Sequence, residues 1–196
     1  MHGYHIDTDE RRYTIYALVA LGIGAAFALN RFLDLSDISI PWWLDAPASF
    51  GFFGLFYWLF DQWAWSFRIW RTLRLAAIPV LCGRWLGYIA SSHDPEAHHE
   101  VAVNIRQTWT TVSVVLTGAN SRSHSTAAVL RVRAPAGPEF THTYLNEPLP
   151  NAVGTMNIHH GTATLRLAED GQSLDGEYYT GRGRQTYGSI HLKRIV

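Results

Sequence analysis

The chain has 196 residues, enough for one ordinary domain with an attached anchor. Sixteen basic residues balance sixteen acidic ones, so the formal net charge is zero and no polymeric nucleic acid is implied as a partner. A single cysteine, Cys82, excludes an intrachain disulfide.

In chain order, residues 1–12 are polar and read as a frayed or interfacial N-terminal tail. Tyr13–Leu29 follows as an uncharged run of 17 residues. As a helix it covers about 26 Å, slightly under a hydrocarbon core of about 30 Å, and Asn30 and Arg31 complete the crossing by snorkelling. Residues 30–47 form a short outer loop with Pro41-Trp42-Trp43 at one aromatic belt. The second apolar run, Ala46–Phe67, spans 22 residues and is interrupted by Asp61. Trp58, Trp63, Trp65 and Trp70 supply the opposite belt. The two runs predict a transmembrane hairpin. Residues 13–82 then comprise two spanning helices and a basic amphipathic juxtamembrane segment, Ser66–Ala77, ended by Pro79. Arg11-Arg12 with Ala26-Phe27-Ala28 also fits a cleavable signal sequence, but the second run follows closely and completes a hairpin.

Arg11 and Arg12 precede the first run, and Arg68, Arg71 and Arg74 follow the second. The linker holds Arg31 against Asp34, Asp37 and Asp45. This asymmetry predicts a multi-pass membrane protein with both termini cytoplasmic. Gly51 and Gly54 give the second run a narrow face. Asp61 is an ionisable group within a span, a functional candidate unless it sits at headgroup level.

After Gly83 the apolar period shortens to two. Strands are predicted over Trp85–Ser91, Glu100–Thr108, Thr110–Thr117, Ser123–Arg133, Phe140–Asn146, Thr155–Leu167, Ser173–Thr180 and Gln185–Lys193. No helix-length period remains to cover an open sheet, so residues 83–196 read as a small eight-stranded antiparallel up-and-down barrel, with a β-sandwich as the alternative. The fold class is thus a membrane α-helical hairpin plus an all-β domain.

No nucleophile motif, phosphate loop or zinc signature is present, so no catalytic residue and no cofactor is assigned. The ten histidines include the adjacent pairs His98-His99 and His159-His160, whose strand neighbours point to opposite faces, and no metal site is expected. The most informative stretch is Leu174–Gly188. Its glycines permit close backbone approach, and Tyr178 and Tyr179 offer stacking faces. Arg182 and Arg184 share parity, so an extended backbone points both guanidiniums one way, as suits phosphate. Aromatic stacking with arginine on phosphate is a recipe for nucleotide recognition, and a bland strand–turn–strand with solvated arginines is the competing reading. Tyr178, Thr180, Arg182 and Arg184 are the candidate ligand-binding residues. Gln107, Thr108, Ser123, Ser125, Tyr144, Asn146 and Thr162 are further polar groups at strand ends.

Read in order, the two apolar runs, Gly83-Arg84-Trp85-Leu86-Gly87, Gln107-Thr108-Trp109, Tyr144-Leu145-Asn146-Glu147-Pro148, His160-Gly161-Thr162 and the stretch Gly176–Gly188 form a set. Essentially the whole chain resembles the SMODS-associated two-transmembrane β-strand-rich effectors of bacterial CBASS anti-phage systems. The resemblance implies an eight-stranded barrel on the cytoplasmic side of the bacterial inner membrane. It implies a sensor, not an enzyme, whose ligand is a cyclic dinucleotide made by a partner nucleotidyltransferase. Binding would drive homo-oligomerisation and membrane disruption, killing the infected cell, and Gly51, Gly54 and Asp61 would face neighbouring spans. The Gly-x-Trp opening also resembles lipocalin-type barrels, and the alternative function is a membrane-tethered carrier or sensor of a small apolar ligand.

Overall fold

The computed structural model describes residues 1–36, 42–72, 77–182 and 184–195. Asp37, Pro41, Arg74 and Gly183, which figure in the readings above, lie outside the described residues. The chain divides into two compact units: Met1–Asp7 together with Pro79–Val196, and Thr8–Ile78.

The first unit is a closed barrel built from β1 (His2–Ile6), β2 (Gly83–Ser91), β3 (Asp94–Gln107), β4 (Thr111–Gly118), β5 (Ser121–Arg131), β6 (Glu139–Pro148), β7 (His159–Leu167), β8 (Ser173–Thr180) and β9 (Tyr187–Ile195). Strands β2 to β9 run up and down in sequence, each antiparallel to the next. β9 returns to pair with β2 from Arg84↔Ile195 to Ser91↔Gly188, which closes the sheet. Alternation decides the faces: Val101, Val103 and Ile105 are buried, while Glu100, Ala102, Asn104 and Arg106 are exposed. One end is plugged by Trp85, Ile105, Trp109, Val112, Leu130, Phe140 and Leu174, each essentially inaccessible. The indole of Trp85 donates to the Leu81 carbonyl at 3.0 Å, and the Arg194 guanidinium lies 4.4 Å from the ring centroid while donating to the carbonyls of Cys82 and Val80.

The expected eight strands are corrected to nine among the described residues. His2–Ile6, expected within a polar tail, is a barrel strand. The reason lies in β5. β4 and β5 pair only over Val115↔His124, Leu116↔Ser123 and Thr117↔Arg122, and just beyond them β5 shifts register against β6, between Ser125 and Ala127. Such a bulge bends the strand away and leaves backbone groups unpaired. β1 fills the opening, antiparallel to β4 at His2 and Gly3 and parallel to β5 at Tyr4, His5 and Ile6. At the fork, the Ser125 hydroxyl accepts from the Val114 N–H at 2.9 Å and bonds His2 Nε2 at 2.8 Å. The Asp7 carboxylate accepts from the N–H groups of Val132 and Arg133, just beyond the end of β5. Tyr4 is buried, and its hydroxyl donates to the Trp109 carbonyl at 3.0 Å.

The second unit contains α1 (Glu10–Leu35), α2 (Trp42–Gln62) and the short α3 (Arg68–Thr72). Thr14, Leu18, Gly22 and Ala26 form the buried stripe of α1 at four-residue spacing. A Cβ on Gly22 would run into the backbone of Phe53, so glycine lets α1 and α2 approach closely. The outer surface is apolar, with Tyr13, Ile23, Phe27, Phe32, Phe50 and Leu55 exposed. The expected pair of spans is corrected: among the described residues only α1 is long and apolar enough to cross a membrane by length and composition. α2 has 21 residues, but Asp45, Tyr57, Trp58 and Asp61 are among its polar-edged or charged members, and such aromatics favour the interface over the hydrocarbon. α2 also begins upstream of the expected Ala46 and takes in Pro47. It ends at Gln62, short of the expected Phe67.

Removing the Tyr4 side chain should open the plugged end of the barrel. Tyr4→Ala is expected to lower barrel stability by about 3 kcal/mol and Tyr4→Phe by about 1 kcal/mol. Denaturant unfolding of the full chain in detergent, followed through Trp85 and Trp109 fluorescence, measures both.

Candidate ligand-binding site

Opposite the plug, the barrel opens into a cavity of about 560 Å³. This falls in the range that accommodates drug-sized ligands. Its rim is made by the β2–β3, β4–β5, β6–β7 and β8–β9 connections, which up-and-down order brings to one end. The interior has two sides. Ile89, Val101, Val103, Val114, Leu116 and Ile190 form an apolar wall. Ser123, Ser125, His142, Tyr144, Asn146, Tyr178 and Arg184 form a polar one, with the exposed carboxylates of Asp94 and Glu100 near the β2–β3 side of the mouth.

β6 supplies the polar wall by alternation: Phe140, His142, Tyr144 and Asn146 all face inward, the first at the plug and the last near the rim. Two of the aromatic rings lie beside glycines on neighbouring strands. Tyr144 pairs with Gly161 and Tyr178 with Gly188, and a Cβ at either glycine would collide with the tyrosine ring. The glycines thus let both rings lie against the wall and leave the lumen open. Burial, then Tyr178, holds the Tyr144 phenol above its ordinary range, while Arg184 opposes the shift. The phenol is a neutral hydrogen-bonding group at working pH.

The candidate residues from the sequence separate here. Tyr178, Thr180 and Arg184 line the cavity, but Arg182 is exposed and lies off the lining. The two arginines are turn residues, not extended ones, so parity does not align them: the N–H groups of Arg184 and Gln185 both donate to the Gly181 carbonyl, and Gln185 has φ +54°. Tyr179 likewise points out, with 58% exposure, so one of the two tyrosines reaches the lumen. The Thr180 hydroxyl donates to the Thr186 carbonyl and accepts from the Thr186 N–H at 2.8 Å, which braces the loop carrying Arg184. No acidic side chain pairs with the Arg184 guanidinium among the described residues.

Of the further polar groups, Ser123 and Asn146 line the lumen bonded to each other at 2.8 Å, and Asn146 also donates to Met156 Sδ. Gln107 is spent at the plugged end, accepting from the Leu81 N–H at 2.7 Å and donating to the Pro79 carbonyl at 3.2 Å. Thr108 binds Thr111 in the β3–β4 turn, and Thr162 is not among the lining residues. His142 escaped the sequence reading, although its parity with Tyr144 and Asn146 marks it as inward. In the helical unit, Gly51 and Gly54 face open space, whereas Asp61 is buried and accepts from Gln62 Nε2 at 3.0 Å.

A closed barrel, antiparallel except where β1 meets β5, with one plugged end and a polar-walled cavity at the other, defines a small-ligand receptor barrel. The Cap15 cyclic dinucleotide receptor domain matches residues 76–194, and the chain belongs to that family. The matched stretch takes in β2 to nearly all of β9 and leaves out β1. The chain is also similar to CD-NTase-associated protein 15 of Yersinia aleksiciae, with 29% identity over 147 residues, 74% of this chain and 67% of that protein.

Burial, and secondarily His2, lowers the pKa of His142 from 6.5 to about 4. Between those values the unfolded chain binds the extra proton, so the contribution to stability is complete above pH 6.5 and is lost as pH falls toward 4. The window corresponds to about 3 kcal/mol. His142→Phe, which keeps a ring against Phe140 but removes the titration, is expected to flatten this acid limb in denaturant titrations at pH 6.5, 5 and 4.

Proposed function

We propose that this chain is the membrane-anchored effector of a CBASS anti-phage system. The barrel binds a cyclic dinucleotide in its lumen, bound barrels associate, and the helical units disrupt the inner membrane and kill the infected cell. The observation that carries the reading is the Arg184 guanidinium beside Tyr144 and Tyr178 in the lumen of a cyclic dinucleotide receptor domain. An arginine at the mouth attracts and forks onto a phosphate, and the tyrosines supply hydrogen-bonding edges and faces for the sugar and base. The mixed wall argues against a carrier of a wholly apolar ligand. The chain acts as a sensor and not an enzyme in this reading. The Yersinia relative is named for association with a CD-NTase, and by extension the ligand is the product of a partner nucleotidyltransferase.

Chain order supports insertion of the helical unit. β1 precedes α1, and the other eight strands follow residue 78, yet all nine belong to one barrel. If α1 crosses the bilayer, the chain returns between the end of α1 and Pro79. The barrel then lies on one side, which the basic flanks Arg11, Arg12 and Arg68 make the cytoplasmic one. The apolar outer surface of α1 and α2 is suited to lipid and to neighbouring copies. Gly51 and Gly54 are the contact points proposed for neighbouring copies. Linked assembly requires the ligand to bind associated barrels better than single ones.

Calorimetric titration of the full chain in detergent with cyclic dinucleotides tests the binding step. Arg184→Ala is expected to weaken binding ten- to a hundredfold, the effect of removing about 1.5–3 kcal/mol of charge-assisted hydrogen bonding. Arg182→Ala is expected to change it much less. Absence of binding by the wild type would overturn the receptor reading. For the membrane step, Gly51→Leu with Gly54→Leu should leave affinity unchanged while suppressing ligand-triggered dye leakage from liposomes. Undiminished leakage would remove this face from the mechanism.

A further inference from the structure

The polar wall has an order of depth along β6. Successive inward side chains on a strand are about 7 Å apart, so His142 lies one such step deeper than Tyr144, the level at which Arg184 acts. Below it, Phe140 closes the plug, with its ring stacked on the imidazole at 5.2 Å and 25° between planes. Beside it, the cross-strand neighbours are Ala128 and Ala163, so no bulky flanking side chain on β5 or β7 fills the floor.

Four other polar groups of the wall are already committed, while Tyr144, Tyr178 and Arg184 lie nearer the mouth. Ser125 is occupied by the Val114 N–H and His2, Ser123 and Asn146 by each other, and Thr180 by Thr186. His142 is different. It is 7% exposed, it lines the cavity, and its Nδ1 is buried with no hydrogen-bond partner. A buried polar atom left in this state is costly, and a structure tolerates it where a ligand or ordered water completes the bond.

We propose that His142 is the specificity-determining group of the lumen, a floor imidazole that hydrogen-bonds the edge of a nucleobase inserted base-first beneath the arginine that holds the phosphate. The inference rests on the receptor reading above and adds to it the orientation of the ligand and the group that discriminates bases. Three features select a base for the floor. The ring is neutral, so it favours a flat neutral polar edge over a phosphate. The opposite wall of Val103, Val114 and Leu116 is apolar, and suits a base face. One base-to-phosphate length separates floor from mouth, as the single inward step from His142 to Tyr144 requires. A neutral imidazole presents one donor and one acceptor, and swapping its tautomer exchanges them. Discrimination therefore comes from which base edge satisfies both the ring and the space between Ala128 and Ala163.

The test uses the full chain in detergent and three cyclic dinucleotides, carrying two adenines, two guanines or two uracils. Wild type is expected to rank them over at least a tenfold range. His142→Phe should keep the stack on Phe140 and compress that range to less than about threefold, because the mismatch penalty at the unpaired ring disappears. Arg184→Ala should weaken all the ligands that bind by a similar factor and preserve their ranking. His142→Gln retains donor and acceptor in another geometry and should reorder the ligands. It also serves as the second variant if His142→Phe melts early. An unchanged ranking in both His142 variants, or equal affinity of wild type for all three ligands, overturns the inference while leaving the receptor reading intact. If wild type binds none of the three, the receptor reading fails for this ligand class, and the inference fails with it.

Discussion

Beyond His124, where β5 parts from β4, two rows of backbone donors and acceptors require partners, and the N-terminal strand supplies them. That constraint organises the molecule. It makes the first residues of the chain part of a barrel whose other strands begin some eighty residues later, and it joins β1 to α1 through Asp7, Thr8 and Asp9. The fork is held by the Ser125 hydroxyl, which stands in for a missing ladder partner of Val114 and anchors His2. Tyr4 then reaches the plugged end and binds the carbonyl beside the buried Trp109 indole. Closure, plug and attachment to the helical unit therefore share one short strand.

With the edges closed, the interior alone decides what the barrel can hold. Large apolar side chains concentrate at one end, and Arg194 clamps the carbonyls that precede β2 while lying over Trp85. At the other end glycines stand beside tyrosines, so aromatic groups coat the wall without filling the space. The polar groups there are divided between those that brace the frame and those with unused bonding capacity. Ser123, Asn146 and Thr180 brace it. His142 holds a buried nitrogen without a partner, and Arg184 holds a charge with no acidic partner among the described residues. A ligand with both a neutral polar edge and an anionic group satisfies both.

Period-two alternation made β2 to β9 legible to within a few residues at most of their ends, because each strand has one buried and one exposed face. β1 was not legible. Five residues with two histidines and a glycine carry almost no strand signal, and their role depends on a bulge more than a hundred residues away. The second helix was found, but a run in which two aspartates, Pro47, Tyr57 and three tryptophans interrupt the phenylalanines does not equal a continuous aliphatic one as a crossing segment. Of the candidate residues, Tyr178, Thr180 and Arg184 line the cavity. Arg182 lies off the cavity lining, because parity holds only in extended backbone and Arg182 and Arg184 are turn residues. His142 is one alternation step from Tyr144 on β6, and a lone histidine on an inward face carries no ligand-binding signature of its own.

The measurement that bears most directly on the central claim is an experimental structure of the full chain with a bound cyclic dinucleotide. Ligand density is expected inside the barrel, between the inward faces of β6 and β8 and the apolar wall of β3 and β4, with a phosphate at Arg184. Density on the outer wall or between barrels, with the lumen filled by solvent, would contradict it.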